Sequence, residues 1–461
     1  MLRSRITRNM LVMGMGWIIL MAFITGILTG IVTIIFSLFL HYIEAIVLPW
    51  IGIPPFEPGK SINVFNAVEF VKQHFNPTRL LIAYLIGSAF SGYIVYKIAP
   101  ETAGHGTDVT IKAIHHYWGA VRARVPAVKL FTSGIFVGMG GSAGTEGPLV
   151  QSGAGMGYLV AQRIKADKYL RRMFAIVGIG GAIGAVFRAP LGGSVFAIEV
   201  LYRKDYETSA FVPAIVTSIT SYTVYSIYYG FKPLLPLGKI PIGPWDILFA
   251  ILIGIFIVPF SIAFVKIFYW FEEGTPKYLP NLYQRILVGG VLAGVTAFII
   301  TKIDPLSALG LVSRGYLAVE VASKMGSIPL TTLFLIAVGK ILTTSMGVGM
   351  GNSGGVFSPM IVIGSSVGLL LGEIMQSLGM HLAGPTFFIV VGMSAMIAAT
   401  AKVPLTAIVM TSDMMGSNWM IPASAIGAVI AYALSGTKYT IYGSQLTDRS
   451  RSVASRGSIH F

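Results

Sequence analysis

The chain has 461 residues, of which 54% are hydrophobic and 11% charged, and it contains no cysteine. This composition is typical of a polytopic membrane protein, and it excludes disulfides and thiolate metal or redox sites. The formal net charge is +15, but the basic residues cluster in the tails and in the loops between apolar runs, as the positive-inside rule expects. We therefore predict a lipid bilayer and an anionic substrate as partners and no nucleic acid.

The first part of the chain predicts two membrane spans. Three arginines among the first nine residues predict a cytoplasmic N-terminus. Residues 10–46 form one apolar run, too long to cross the membrane upright and therefore tilted. The proline-rich residues 47–78 predict an external loop, and residues 79–98 predict the second span. Residues 101–124 are polar and basic.

The stretch from residue 126 to residue 201 predicts four short apolar segments. They are interrupted at Gly147-Pro148, at the basic residues 163–172 and at Pro190. Each is too short for an ordinary crossing, and broken helices at membrane depth are tolerated only where protein packs around them or a cavity adjoins them. A helix at 209–229 and a Pro/Gly-rich loop at 232–244 close this half.

The remaining residues predict a second half of the same kind. Its elements are apolar segments at 246–271, 284–302 and 330–347, an amphipathic linker at 303–328, a broken region at 349–415 and a last helix at about 420–434. We predict one transmembrane domain over residues 1–461, with a first repeat at 10–230, a second at 245–434 and a short cytoplasmic tail at 436–461. Both termini are thus expected in the cytoplasm, in a multi-pass protein of the cell membrane.

An internal repeat relates the two halves. Residues 129–157 align without gaps on residues 340–368, with eleven of 29 positions identical. Duplicated apolar segments interrupted by Gly and Pro at matching places point to the binding site of a transporter. In the second copy Phe357 replaces Glu146, so the halves share a scaffold and differ in chemistry. We expect an all-α fold of two inverted-topology repeats with broken, re-entrant helices.

Glu146 is a carboxylate between long apolar runs, where an ionised side chain costs roughly 2.5 kcal/mol or more. Gly147 and Pro148 follow it, and proline is favoured at the first helical position. Helix N-termini bind anions through free N–H groups and the helix dipole. Glu146 can therefore be a tethered anion that occupies such a site or leaves it. The alternative is a carboxylate that caps its own helix.

Several motifs resemble those of the CLC family of chloride channels and proton-coupled chloride transporters, and the resemblance extends from about residue 15 to Leu446. They are residues 144–148 (GTEGP), 355–359 (GVFSP) and 441–446 (IYGSQL). The resemblance implies that Glu146 is the gate and that the N–H groups of Val356 and Phe357 donate to the anion. It also implies that the hydroxyl of Tyr442 faces the central anion, with Tyr439 as the alternative.

The sequence departs from the family pattern in three places. Residues 104–108 (GHGTD) stand for GSGIP, so His105 replaces a serine that donates to the anion, and the proline is lost. Thr145 replaces a basic residue before the gate. Val200 stands where proton-coupled members often carry an inner glutamate, next to Glu199. The anion site implied by the resemblance comprises Gly104, His105, Gly106, Gly144, Thr145, Gly147, Gly355, Val356, Phe357 and Tyr442.

The coupling mode follows from Val200. An apolar side chain cannot hold or relay a proton through half of a ~30 Å hydrocarbon layer. This slightly favours passive conduction of chloride and similar small anions, gated by Glu146. The alternative is a proton-coupled chloride antiporter in which protons arrive through water or through Glu199.

A membrane-embedded enzyme is a distant alternative. The chain has no Cys, no His pair with metal spacing and no Ser/His or Asp/Asp pair on the repeated segments, so we predict no enzymatic activity, metal or cofactor. The resemblance implies a homodimer with one complete path in each subunit. The candidate interface lies on residues 190–200, 209–229, 403–414 and 420–434.

Overall fold

The computed structural model describes residues 14–54, 63–236, 243–325, 328–380 and 384–452. Within these residues the chain is almost entirely helical, and nine helices are long and apolar enough to cross a membrane. The predicted all-α, polytopic membrane fold is confirmed.

The first half contains the predicted spans and two helices that the sequence analysis did not predict, at residues 64–74 and 106–116. Its helices are α1 (Met15–Ile51), α2 (Val64–His74), α3 (Pro77–Ile98), α4 (Gly106–His116), α5 (Arg124–Gly138), α6 (Glu146–Arg163), α7 (Lys168–Val186), α8 (Pro190–Glu199) and α9 (Phe211–Tyr229). The four short segments predicted after residue 126 are thus α5 to α8.

The helices of the second half repeat this pattern. They are α10 (Pro244–Tyr278), α11 (Leu282–Ile303), α12 (Ala308–Leu311), α13 (Tyr316–Met325), α14 (Leu330–Gly349), α15 (Phe357–Ser377), α16 (Pro385–Ala401), α17 (Pro404–Met415) and α18 (Ile421–Ser435).

The predicted external loop at 47–78 is wrong in part. Helix α1 continues through Pro49 and ends at Ile51, because Gly52 adopts a left-handed conformation and its N–H bonds back to the last turn. Helix α2 then forms inside the predicted loop, capped by the side chain of Asn63 and burying Val64 and Val71. Residues 10–13, 55–62, 237–242 and 453–461 lie outside the described residues, and so do those parts of the predicted helix, loops and tail.

The predicted linker at 303–328 contains two helices, α12 and α13. Asp304 accepts a hydrogen bond from the backbone N–H of Leu306 at 3.1 Å and starts a short 3₁₀ turn before α12. After α12, Gly315 adopts a left-handed conformation with φ of 81°, and α13 begins at the next residue, Tyr316. This boundary matters because Tyr316 belongs to the site described below.

Equivalent helix pairs in the two halves, α6 with α7 and α15 with α16, pack equally closely. A Cβ atom added at Gly178 on α7 would lie 2.0 Å from the carbonyl oxygen of Gly153 on α6. The corresponding distance from Gly392 on α16 to the carbonyl oxygen of Gly364 on α15 is 2.2 Å. Small residues therefore bring the backbones of both helix pairs together, as is common between membrane helices.

The C-terminal segment packs on one end of the helices, which we call the tail face. The N–H of Arg203, just after α8, donates to the carbonyl of Leu446 at 2.8 Å. The ring of His115, at the end of α4, contacts the carbonyl oxygen of Leu201 at 2.9 Å. The ends of α4 and α8 and residues 436–452 thus form one surface.

Helices α8 and α17 cap each other with carboxylates. Glu199, the last residue of α8, accepts from the N–H of Leu405 at 3.0 Å and from the N–H of Thr406 at 2.6 Å, in the first turn of α17. Asp413 of α17 accepts from the N–H groups of Leu191 and Gly192, both at 2.9 Å, in the first turn of α8. Each carboxylate satisfies two N–H groups that have no partner within their helix.

We predict that Asp413→Ala lowers the unfolding free energy by ~1–2 kcal/mol, because two helical N–H groups lose their acceptor. The measurement is the thermal unfolding midpoint of the purified protein in detergent. Asp413→Asn, which keeps a carbonyl acceptor, is the control and is expected to lose less. Equal midpoints for wild type and Asp413→Ala would contradict the capping role.

Candidate anion-binding site

Two reciprocal hydrogen bonds join the loops that precede α6 and α15. The N–H of Gly144 donates to the carbonyl of Gly355 at 2.7 Å, and the N–H of Gly355 donates back to Gly144 at 2.7 Å. A Cβ atom at Gly144 would lie 1.9 Å from Oε2 of Glu146, and one at Gly355 would lie 2.8 Å from the same atom. Glycine is therefore required at both positions for the carboxylate to lie between the loops.

Glu146 is the first residue of α6, and its side chain is 1% exposed. Its Oε2 accepts from the backbone N–H of Ser358 at 3.3 Å, and its Oε1 accepts from the hydroxyls of Tyr316, at 3.3 Å, and Ser358. The hydroxyl of Thr145 is 3.5 Å from Oε1. The carboxylate thus occupies the N-terminus of α15, where N–H groups and the helix dipole favour an anion.

This geometry corrects one prediction. The sequence places Pro148 at the first helical position and the carboxylate over its own helix, or capping it. The structure starts α6 at Glu146, and the carboxylate crosses to α15 of the other half. The physical reason is the Gly144–Gly355 pairing, which brings the first turn of α15 within reach of the side chain.

Tyr316 and Ser358 are site residues that the sequence analysis did not single out. Their hydroxyls are 2.7 Å apart and both contact Glu146. The repeat offers a signal for Tyr316, because the 211-residue offset that aligns Lys129 with Lys340 also pairs His105 with Tyr316. The two side chains stand at the starts of α4 and α13.

Two buried lysines hold the loops that lead to these positions. The ammonium of Lys129 donates to the carbonyls of Thr102, at 2.8 Å, and Gly104. The ammonium of Lys340 donates to the carbonyl of Ser313 at 2.8 Å, in the equivalent loop of the second half. Both lysines therefore act on the site through backbone carbonyls.

His105 immediately precedes α4 and is 3% exposed. Its ring centroid lies 5.4 Å from that of Phe268 and 5.7 Å from that of Tyr442. Neither ring nitrogen has a hydrogen-bond partner among the described residues. The structure thus brings together His105 and Tyr442, whereas the alternative Tyr439 lies against Lys266, whose ammonium is 5.2 Å from its ring.

Asp108 explains one departure from the family pattern. It stands where the family has proline, and its carboxylate accepts from the N–H of Ser444 at 2.7 Å and from its hydroxyl at 2.6 Å. The hydroxyl of Tyr269 accepts from the N–H of Gly443 at 2.7 Å and donates to the carbonyl of Ile441 at 3.1 Å. These contacts hold the backbone on both sides of Tyr442, so that its buried ring stays beside His105.

The remaining predicted site residues lie at the same junction. A Cβ atom at Gly106 would be 2.5 Å from the carbonyl oxygen of Gly147, so the starts of α4 and α6 are in contact. Val356 caps α15, and the ring of Phe357 packs against Phe187 with centroids 5.1 Å apart. The N–H of Gly354 donates to the carbonyl of Gly104 at 3.4 Å. The three glycine-containing loops therefore converge on one point.

Val200 and Glu199 belong to the tail-face end of α8. Val200 is fully buried, and its carbonyl accepts from the side-chain amide of Gln445 at 3.0 Å. The carboxylate of Glu199 is bound to the first turn of α17. Its use as a proton relay stays a prediction, and any such use has to coexist with this capping role.

A buried ion pair holds the loop that carries Tyr316. Arg314 lies 2.7 Å from Glu44 of α1, and Ser313 donates to the same carboxylate at 2.8 Å. These residues immediately precede Gly315 and Tyr316, so the pair fixes the loop from which Tyr316 reaches Glu146. The sequence signal for it is that Glu44 is the single acidic residue in the apolar run 10–46.

The family follows from a comparison with known proteins. The profile of the family described as "Voltage gated chloride channel" matches residues 87–436. The chain belongs to this family. It is therefore a CLC-type, multi-pass membrane protein of anion transport, in a family of transporters and channels, and the resemblance inferred from the sequence is confirmed.

Similar proteins cover nearly the whole chain. An uncharacterized protein of Methanocaldococcus jannaschii is 28% identical over 405 residues, covering 87% of this chain and 96% of its own length. The H(+)/Cl(-) exchange transporter ClcA of Vibrio parahaemolyticus is 28% identical over 432 residues, covering 91% and 87%.

Solved structures share the fold. A slow cyanobacterial Cl-/H+ antiporter superposes with a TM-score of 0.70 at 24% identity, covering 92% of this chain and 96% of that one. A CLC-type fluoride/proton antiporter has a TM-score of 0.74 at 19% identity, covering 93% and 97%. At these identities the likeness establishes the CLC architecture alone.

We predict that Tyr316→Phe tightens chloride binding at neutral pH by up to about tenfold. The substitution removes a donor worth ~1.5 kcal/mol to the charged carboxylate. Glu146 then competes less well with chloride for the hydrogen-bond donors at the N-terminus of α15. The measurement is calorimetric titration of the detergent-solubilised protein with chloride.

The matched control is Tyr202→Phe, which removes the hydroxyl of a buried tyrosine that donates to the carboxylate of Glu207 at 2.8 Å, at the tail face. Its chloride affinity is expected to equal that of the wild type. Weaker chloride binding by Tyr316→Phe would show that this hydroxyl serves the anion and not the gate.

Proposed function

We propose that this protein exchanges chloride for protons across the membrane, with Glu146 as the shared gate. The observation that carries the proposal is the position of its carboxylate at the N-terminus of α15, bound by the N–H of Ser358 and by two hydroxyls. A carboxylate in this position uses the donors that a chloride ion would use.

Competition for these donors links the two ions. An ionised Glu146 occupies the N-terminus of α15, which we call the seat, and a chloride ion that arrives there has to displace the carboxylate. When the carboxylate takes up a proton it loses its charge, and its attraction to the N-terminus of α15 falls. Proton binding to Glu146 and chloride entry therefore favour each other, so the binding of one ion is thermodynamically linked to that of the other.

The donors around the path suit a permeating anion. The side chains next to the seat are neutral hydroxyls, and Lys129 and Lys340 point their ammonium groups at backbone carbonyls. Neutral donors attract chloride enough for entry and weakly enough for release. In this proposal the ring of His105 and the hydroxyl of Tyr442 continue the path on the tail side of Glu146.

The relatives support exchange over passive conduction. The curated relatives from Vibrio are named H(+)/Cl(-) exchange transporters, and a solved structure of the same fold is a Cl-/H+ antiporter. The slight preference for passive conduction rested on Val200, which removes one proton-holding group. An apolar residue at this position excludes only a relay through that side chain.

We predict that purified protein in sealed vesicles moves protons uphill when a chloride gradient is applied. Glu146→Gln is expected to abolish proton movement and to keep chloride flux, because the amide resembles the protonated carboxyl. The readouts are external pH and chloride release. Wild-type chloride flux without proton movement would favour passive conduction instead.

A homodimer with one complete path in each subunit is the assembly we propose. Glu146, Tyr316 and Ser358 all come from one chain, so a path needs no residue of a second copy. Helices α8, α9, α17 and α18 leave apolar side chains exposed, including Leu191 and Leu405.

We expect cysteine pairs introduced on these four helices to cross-link two subunits in the membrane. The cysteine-free chain is a suitable background, since it adds no competing thiol. Cysteines on the exposed face of α11, for example at Ile299, serve as the control. Cross-linking through α11 alone would place the interface elsewhere.

The tail face is proposed to be cytoplasmic. The backbone N–H groups of Arg203 and Lys204 donate to Leu446 and Thr447 of the tail, and Arg172 donates to Tyr202, which pairs with Leu446. These basic residues therefore lie at that face, in agreement with the positive-inside rule.

A further inference from the structure

His105 is a buried imidazole with unused hydrogen-bonding capacity. A neutral imidazole has one N–H donor and one nitrogen acceptor, and an unsatisfied buried polar group costs ~1–3 kcal/mol. Neither nitrogen of His105 is bonded by any described residue, although the side chain is 3% exposed. The site therefore retains a donor for an anion and a lone pair for a proton.

The surroundings of His105 leave both nitrogens available. Phe268 and Tyr442 pack against the ring with centroids 5.4 and 5.7 Å away, so they cover it without satisfying its nitrogens. The titratable groups facing this corner are Asp108 on α4, Lys129 on α5, Tyr269 and Glu272 on α10, and Tyr442. Asp108 and Lys129 are already bonded, to Ser444 and to loop carbonyls respectively.

We infer that His105 takes up a proton together with a bound anion and so forms a second proton site, on the tail side of Glu146. This inference rests on the proposed function. Without an anion, a buried imidazolium would have only the carboxylate of Asp108, which is already bonded to Ser444, as a counter-charge, and it would lie near the ammonium of Lys129; it is therefore disfavoured. With chloride against its N–H, the added positive charge is compensated, so each ion stabilises the other.

The proton balance is simple. A proton from water at the tail face adds to the lone pair of the free ring nitrogen, and the ring becomes a cation with two N–H donors. The proton later passes from the ring nitrogen to water or to the carboxylate of Glu146, and no other bond changes. Gly106, the residue after His105, contacts the backbone of Gly147, the residue after Glu146, so the two proton sites adjoin the same pair of helix starts.

His105 supplies a proton-binding group on the tail side, where Val200 and Glu199 do not offer a free one. Val200 is apolar, and Glu199 is bonded to the N-terminus of α17. His105 instead stands at the start of α4, whose backbone contacts the start of α6 through Gly106 and Gly147. A proton held on His105 is therefore separated from Glu146 only by the contact between the starts of α4 and α6.

The test is chloride titration by calorimetry on full-length, detergent-solubilised Glu146→Gln, in which the gate no longer titrates. Titrations between about pH 4.5 and pH 8, in buffers of different ionisation enthalpy, report the affinity and the protons taken up. We expect tighter chloride binding at low pH, approaching tenfold for each pH unit where one proton accompanies one anion.

The double variant Glu146→Gln/His105→Gln keeps an N–H donor but cannot titrate. It is expected to bind chloride with an affinity independent of pH and without proton uptake. The matched control is Glu146→Gln/His116→Gln, which changes an exposed histidine at the other end of α4. Its pH dependence should equal that of Glu146→Gln.

The outcomes separate this inference from the proposed function. Absence of chloride binding by wild type and Glu146→Gln at every pH would overturn the proposed function itself. Chloride binding by Glu146→Gln that does not vary with pH would overturn the role of His105 alone. A pH dependence that persists in Glu146→Gln/His105→Gln would assign the second proton to another group, and the inference would be wrong.

Discussion

The paired backbone hydrogen bonds between Gly144 and Gly355 are the contact on which the site depends. They join two broken helices from different halves, whose polar ends lie at membrane depth and need partners within the protein. The pairing leaves room between the loops only because neither residue has a Cβ atom. The carboxylate of Glu146 fills that room and bonds to α15. The same two residues thus set both the fold of the junction and the geometry of the gate.

The repeat made much of this fold predictable. Apolar runs and the Gly/Pro breaks located most helices, and the family motifs located Glu146, because these signals lie within short stretches of sequence. The partners of Glu146 were not found, since they depend on which loop of the other half lies opposite. Around Tyr316, the residues at the 211-residue offset share little with those around His105 beyond Gly104 and Gly315. The structure shows the equivalence in two ways: both glycines have a left-handed backbone, with φ of 64° and 81°, and Lys129 and Lys340 bond to carbonyls of the two loops at matching places.

Long-range capping shows a second limit of sequence reasoning. Glu199 and Asp413 occupy equivalent places in the two halves, and each carboxylate accepts from backbone N–H groups of the other half. The crossing of α8 and α17 gives each carboxylate its target, 206 to 222 residues away in the chain. Such a partner cannot be read from local spacing. The structure therefore adds a stabilising role to Glu199 that any proton relay through this residue would have to interrupt.

The difference between Glu146 and Phe357, which occupy equivalent positions, follows from electrostatics. Both residues begin helices that meet at the Gly144–Gly355 pairing. A second carboxylate at position 357 would lie beside the first, and two adjacent carboxylates in a buried site cannot both stay ionised. Phe357 instead packs on Phe187 and leaves the N-terminus of α15 free for one anion. A duplicated scaffold thus yields a single seat, which either Glu146 or a permeating anion can occupy, and this exclusivity allows one carboxylate to control the path.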